Sequence, residues 1–278
     1  MSVLVVLFLT AVLALFSGVY NQGKFARYIG ILGLLVALCV SFSPELAFFN
    51  QYKSMFDFNE NAALFTKISL VVTLLIFFLG GFAFNNHRSH QSELYSLMLF
   101  SLIGAVILFS FTNLVTLFLG IEILSIPLYV MAGSNKTDLR SNEASIKYFL
   151  MGAFATGFLL FGIALIYGRI GSFDVHVINT FTVANPKDLM FVMGIMLMLV
   201  AMAFKVSLAP FHMWSPDVYQ GAPSLITAFM ASVVKIAAFF AFFKVMNLAF
   251  AGSIKEWINS LGVLVIITLL LANAMGLA

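Results

Sequence analysis

Nine runs of roughly 20 predominantly apolar residues succeed one another along this 278-residue chain, near 3–20, 26–43, 62–84, 94–111, 114–133, 147–167, 189–209, 223–243 and 257–277. A helix of that length matches the hydrocarbon core of a bilayer, where the backbone must satisfy its own hydrogen bonds within the segment. The expected fold is an all-α polytopic membrane protein with about nine helices. Composition agrees: 62% of residues are hydrophobic and 9% charged, against about 25% charged in globular domains. The formal net charge of +3 is the difference of 14 basic and 11 acidic residues, too small to imply nucleic acid or another polyanion as a partner.

The first run begins at Met1 with no Lys or Arg before it and no small-residue cleavage site after it. It is expected to remain as a transmembrane helix rather than be removed as a signal peptide. The ninth run continues to Ala278 without a charged stop, which reads as a sequence cut before further helices. Cys39 lies inside an apolar run and is expected to be a small buried side chain; a lone cysteine forms no intrachain disulfide and ligates no cluster. Residues 112–113 are so short a connection that the fourth and fifth runs must form an antiparallel hairpin. The longer polar connections, 44–61 and 168–188, are too small for a soluble domain. With the amino terminus outside, Lys24, Arg27, Arg88, Lys136, Arg140 and Lys147 fall inside, and Lys53, Lys67, Arg169, Lys187, Lys244 and Lys255 outside. That even division gives no orientation, although the cluster Lys136, Arg140 and Lys147 favours a cytoplasmic loop.

The chemistry resides in charges placed inside apolar runs. Lys235 lies near the centre of the eighth run, Lys205 in the seventh and Glu122 in the fifth. A charged side chain at the bilayer centre costs roughly 2.5–3.5 kcal/mol on insertion scales, so each is a functional-site candidate that needs a partner. Glu122 is the expected partner of the lysines, because a nearby ammonium favours the ionised carboxylate. Lys205 has a snorkelling alternative; Lys235, with apolar residues on both sides, has no route to an interface. After Lys205 come Pro210, Pro216, Gly221 and Pro223, a density that no ordinary helix survives. A broken helix beside a buried charge is a sequence sign of a transport site. Pro127 is expected to bend the fifth helix.

His212, beside the break, reads equally as a proton relay or as a hydrogen-bonded turn residue. His87 and His90 flank Arg88 and, with only Glu93 nearby, lack metal-ligand spacing. Residues 141–147 read as a capped helix start with an i,i+4 pair, Glu143 and Lys147. No glycine-rich phosphate loop, catalytic triad, haem or flavin motif is present, and the Phe and Met stripes need no cofactor.

The string Pro210-Phe211-His212-Met213-Trp214-Ser215-Pro216-Asp217-Val218-Tyr219-Gln220-Gly221-Ala222-Pro223 resembles subunit N of the bacterial proton-pumping NADH-quinone oxidoreductase, respiratory complex I. So do Ser232-Val233-Val234-Lys235-Ile236, Phe118-Leu119-Gly120-Ile121-Glu122 and the segment from Glu143 to Phe149. Related antiporter-like subunits usually carry a histidine where this chain has Ser232 to Ile236, and lack the wording from Tyr219 to Pro223. The resemblance covers the chain from about the third run onward, the first two fitting more loosely. It implies an antiporter-like bundle of about fourteen helices in two inverted repeats, with an outside amino terminus in the bacterial inner membrane. It divides the chain into an N-terminal segment, 1–92, a first repeat, 93–250, and the start of a second, 251–278. It implies that Glu122 and Lys205 form the charge pair of a proton half-channel and that Lys235 is the central relay. Cofactors of such a complex (NADH, FMN, iron-sulfur clusters and quinone) would sit in other subunits, none on this chain. Its partners would be neighbouring membrane subunits, lipid and protons. Two other readings compete with it: a subunit of a multisubunit cation/proton antiporter, and a non-conducting scaffold.

Overall fold

The computed structural model describes residues 1–19, 23–43, 54–83 and 91–277. His87, Arg88 and His90, and most of the connection 44–61, lie outside the described residues. Along the chain run α1 (Ser2–Val19), α2 (Gly23–Val40), α3 (Glu60–Ala83), α4 (Gln91–Ser110), α5 (Leu114–Ala132) and α6 (Leu139–Ile170). They are followed by α7 (Val175–Ala184), α8 (Leu189–Val206), α9 (Trp214–Gly221), α10 (Ser224–Phe229), a π-helical turn (Met230–Val234), α11 (Lys235–Leu248) and α12 (Ile254–Leu277). Among the described residues eight helical spans are long and apolar enough to cross a membrane, and Phe25–Val40 is a shorter apolar helix at the place of the second run.

The most enclosed helix is α4, whose side chains are buried on every side from Leu94 onward apart from a few positions. It packs on α1, α2, α3, α5 and α11, and so forms the axis of the bundle. The hairpin at residues 112–113 exists, and Asn113 caps α5 by accepting from the Val115 N–H at 2.8 Å. Helix α5 runs on through Pro127 without ending. Helices α6 and α8 approach closely because small residues face each other: a Cβ on Gly162 would stand 2.8 Å from the Gly194 carbonyl oxygen, and one on Gly194 3.0 Å from that of Gly162. Small residues at such crossings let backbones touch in a membrane, where the hydrophobic effect gives no pull between helices.

Five sequence expectations are corrected. The sixth helix begins at Leu139, ahead of the start read at 141–147, because Asp138 accepts from the Arg140 N–H and caps it. Ser141 is not the cap; its hydroxyl donates to the Ala132 carbonyl at 2.7 Å. The connection 168–188 is not simply polar loop: Asp174 accepts from the N–H groups of His176 and Val177 and starts α7 inside it. Cys39 is exposed on α2 rather than buried. Lys244 is not a loop charge, since the eighth span continues through it to Leu248 and buries it.

Candidate functional site

The break after α8 organises the site. Ser207 takes the left-handed conformation at φ 62°, which ends α8. Pro210 lies in the irregular stretch, Pro216 in the first turn of α9 and Pro223 at the cap of α10. Proline is tolerated in a first turn because the missing N–H would have had no helical acceptor. The carbonyls freed at the end of α8 find specific donors. The Leu208 N–H donates to Ala203 at 2.9 Å, and Trp214 Nε1 donates to Phe204 at 3.1 Å. Lys235 Nζ donates to the carbonyl of Lys205 at 3.3 Å. Below the break α9 packs on α6, and Lys147 joins the two by contacting Glu143 Oε1 at 2.6 Å and Asp217 Oδ2 at 2.5 Å. The i,i+4 pair read from the sequence is therefore present, with a second carboxylate added by the fold.

Glu122, Ser125 and Tyr129 fall on one face of α5 by their spacing of three and four. Lys205 Nζ donates to Ser125 Oγ at 2.9 Å and to Tyr129 Oη at 3.3 Å. Ser125 can accept because its own proton goes to the Ile121 carbonyl at 2.6 Å. Glu122 is one turn away and acts on Lys205 through its charge, but the two make no direct ion pair. Its Oε1 is 2.8 Å from Thr156 Oγ1 of α6, and that hydroxyl is also 3.0 Å from the Gly152 carbonyl. The hydroxyl has one proton for two acceptors.

Lys235 emerges where the π-helical turn hands over to α11. A π-turn adds a residue to the helix and frequently marks a functional position. Its Nζ donates to Ser207 Oγ at 2.6 Å, so it reaches the break and not an interface. Aromatic rings link the two amines. Tyr129 meets Tyr148 edge-on at 4.8 Å, and Tyr148 stacks on Trp214 at 4.7 Å with 5° between the planes. Lys205 lies 5.8 Å from the Tyr129 centroid and Lys235 5.2 Å from that of Trp214, distances at which the ring quadrupole attracts an ammonium. Both amines are thus solvated by hydroxyls, carbonyls and rings, while a carboxylate acts from a distance.

His212 is not brought into this group. Its Nε2 lies 3.5 Å from Met275 Sδ on α12, and its Nδ1 is enclosed without a hydrogen-bond partner among the described residues. Sequence reasoning missed Thr156, Tyr129 and Ser207. Tyr129 was findable as the next member of the Glu122, Ser125 face. Nothing in the sequence distinguishes Thr156 or Ser207 from other small hydroxyls in apolar runs. Among the described residues no three His, Cys, Asp or Glu side chains gather where a metal ion could be held.

Residues 111–278 match the family of membrane segments described as "NADH:quinone oxidoreductase/Mrp antiporter, TM". NADH-quinone oxidoreductase subunit N of Cytophaga hutchinsonii is 46% identical over 224 residues, 80% of this chain and 47% of that protein. Subunit N of Flavobacterium psychrophilum is 35% identical over 277 residues, 100% of this chain and 61% of that protein. A chain of respiratory complex I from Thermus thermophilus with bound aureothin superposes with a TM-score of 0.68 at 32% identity, covering 87% of this chain and 52% of that one. The chain spans about half the length of the curated relatives it matches.

Proposed function

This chain belongs to the NADH:quinone oxidoreductase/Mrp antiporter membrane family, and on that premise we propose that it is part of a proton-translocating subunit N of NADH-quinone oxidoreductase. It would sit in the bacterial inner membrane beside other membrane subunits of the complex, with the redox cofactors held in other subunits. Residues 93–250 would form its first antiporter-like repeat. The observation that carries this reading is the gathering of two buried amines at one break, Lys205 on Ser125 and Tyr129 and Lys235 on Ser207 and the Lys205 carbonyl, with Glu122 one turn from Ser125 on the same face of α5.

The mechanism follows from distance. When Glu122 moves toward Lys205 the ammonium is favoured, and when it withdraws the proton is released toward Lys235. Ser125 and Tyr129 accept from the ammonium and need not move. Thr156 can retain the carboxylate or turn to the Gly152 carbonyl, so it offers the withdrawn state a home. The rings of Tyr129, Tyr148 and Trp214 stand in contact from one amine to the other, and each amine lies over the ring at its own end. Moving one proton against the membrane potential costs about 2.3 kcal/mol per 100 mV, which electron transfer elsewhere must supply.

The test is proton ejection by the assembled complex in reconstituted vesicles. Lys205→Ala and Glu122→Ala are each expected to impair it, and unimpaired pumping in either would remove these roles. Sodium or potassium gradients that drive transport in the same vesicles would favour the cation/proton antiporter reading, which the family description also covers.

A further inference from the structure

A lysine that gives up and regains a proton must be held in two forms, as an ammonium with three N–H donors and as an amine with two and a lone pair. The two contacts of Lys205 differ in which form they can serve. Ser125 gives its only proton to the Ile121 carbonyl at 2.6 Å, so toward Lys205 it acts as an acceptor alone. Tyr129 Oη lies 3.3 Å from Nζ, and among the described residues it meets no carbonyl or carboxylate that would take its own proton. A phenol so placed accepts from the ammonium and, with its proton unclaimed, can donate to the lone pair of the amine.

Helix α6 seats that phenol. Ser145 Oγ donates to the Tyr129 carbonyl at 2.7 Å and fixes the backbone. The rings of Tyr148 and Phe149 meet Tyr129 edge-on, with centroids 4.8 and 5.9 Å away at 90° and 75°. One turn beyond Tyr148 comes Gly152, and the hydroxyl occupies the place a side chain there would take. A Cβ on Gly152 would overlap Tyr129 Oη and stand 2.7 Å from Cζ and 2.9 Å from Cε1, closer than real Cβ atoms come. A free side chain could swing aside, whereas a ring packed against two others cannot follow without unpacking them. Gly152 therefore differs from Gly162 on the same helix, whose missing side chain makes room for a backbone carbonyl. One turn further on, Thr156 holds Glu122, so successive turns of α6 set both the phenol and the acid that act on Lys205.

We propose that Tyr129, seated in the space left by Gly152, is the hydrogen-bond partner of Lys205 in both of its protonation states, and so sets how fast that lysine gives up and regains its proton. The inference rests on the reading of the chain as a proton conduit and adds to it one residue and its seat. When the Lys205 ammonium passes a proton onward, a lone pair appears on Nζ and the Tyr129 O–H turns to it. When a proton returns to Nζ, the O–H turns away and the oxygen accepts again. Tyr129 keeps its proton throughout; only the direction of the hydrogen bond reverses. Without the hydroxyl the new lone pair would be buried with no donor at the moment of release, and release would slow.

The experiment uses the assembled complex in sealed vesicles and reads the rate of proton ejection. Tyr129→Phe keeps the ring and its edge contacts and removes only the hydroxyl; ejection should fall about tenfold, the rate equivalent of one hydrogen bond to a charged group. Gly152→Ala keeps the hydroxyl and drives it from Nζ, and should cost about as much. The double variant should be no slower than Tyr129→Phe, because the hydroxyl that the methyl would displace is already gone. A Gly152 that only packs would instead multiply the two losses. That result, or wild-type ejection in either single variant, overturns the proposal. Should Gly152→Ala fail to assemble, Tyr129→Phe decides: the tenfold loss upholds the proposal and wild-type ejection overturns it. Lys205→Ala is the control: normal pumping there defeats the underlying reading, whereas its loss beside full ejection in Tyr129→Phe defeats this inference alone.

Discussion

Thr156 supplies a single proton to two acceptors, the Glu122 carboxylate and the carbonyl of its own helix at Gly152. A hydrogen bond to an ionised group contributes about 1.5–3 kcal/mol, roughly twice a neutral one, so the carboxylate wins while it is charged. Thr156→Val keeps the shape and removes the donor. Coupled turnover in vesicles, followed as NADH oxidation together with proton ejection, should fall in that variant and largely recover in Thr156→Ser; equal rates in all three proteins would show that Thr156 only packs. The two lysines differ in what binds them. Lys205 has hydroxyl acceptors alone, whereas Lys235 also takes a backbone carbonyl, which only the irregular end of α8 leaves free. The charges themselves were legible in the sequence because hydrocarbon makes each one costly. Their partners were not, since serine, threonine and tyrosine are cheap anywhere in a helical bundle.

Among the elements, the break is held by a residue under strain. Ser207 adopts a left-handed conformation that costs a residue with a Cβ about 1–2 kcal/mol, and it repays this by placing Oγ 2.6 Å from Lys235. Two substitutions separate those effects. Ser207→Gly relieves the strain and Ser207→Ala does not, while both delete the acceptor. Thermal unfolding in detergent should rank Gly above Ala by about 1 kcal/mol, and proton ejection should be reduced in both. Normal ejection by either variant would mean that Lys235 does not depend on that hydroxyl. The position of the break was readable from its prolines. The extra turns of α6 and the whole of α7 were not, although each begins at an aspartate that caps it, because a capping residue is also an ordinary loop residue until the chain around it folds.

Across the whole molecule, the ends of α6 and α8 are tied by Arg169, whose Nε lies 2.7 Å from Asp188 Oδ2. The guanidinium, together with the Phe191 N–H, holds the Asp188 carboxyl below the usual carboxylate range. A carboxyl held low in the folded state stabilises above its unfolded pKa, and that contribution is lost as pH falls through the folded value. Asp188→Asn preserves the cap on Phe191 and removes the ion pair. The melting temperatures of the two proteins in detergent should therefore differ at neutral pH and converge as the pH falls through the lowered value of the folded state. A gap that persists in acid would assign the effect to something other than this pair. Many large apolar side chains face outward on α1, α2, α3 and α12, as lipid-facing or partner-facing surfaces require.

The amino-acid sequence by itself determined the membrane class, the order of the spans, the hairpin at residues 112–113 and the three buried charges of the candidate site. These depend on local facts: run length against bilayer thickness, proline against helix, charge against hydrocarbon. Only the tertiary structure decided that Glu122 reaches Thr156 rather than Lys205, that Lys235 holds the broken end of α8 and that Lys244 is buried. Each of those depends on which distant helix stands opposite. A lysine close to a span's end has the same sequence surroundings whether it snorkels to water or, like Lys244, is covered by its neighbours.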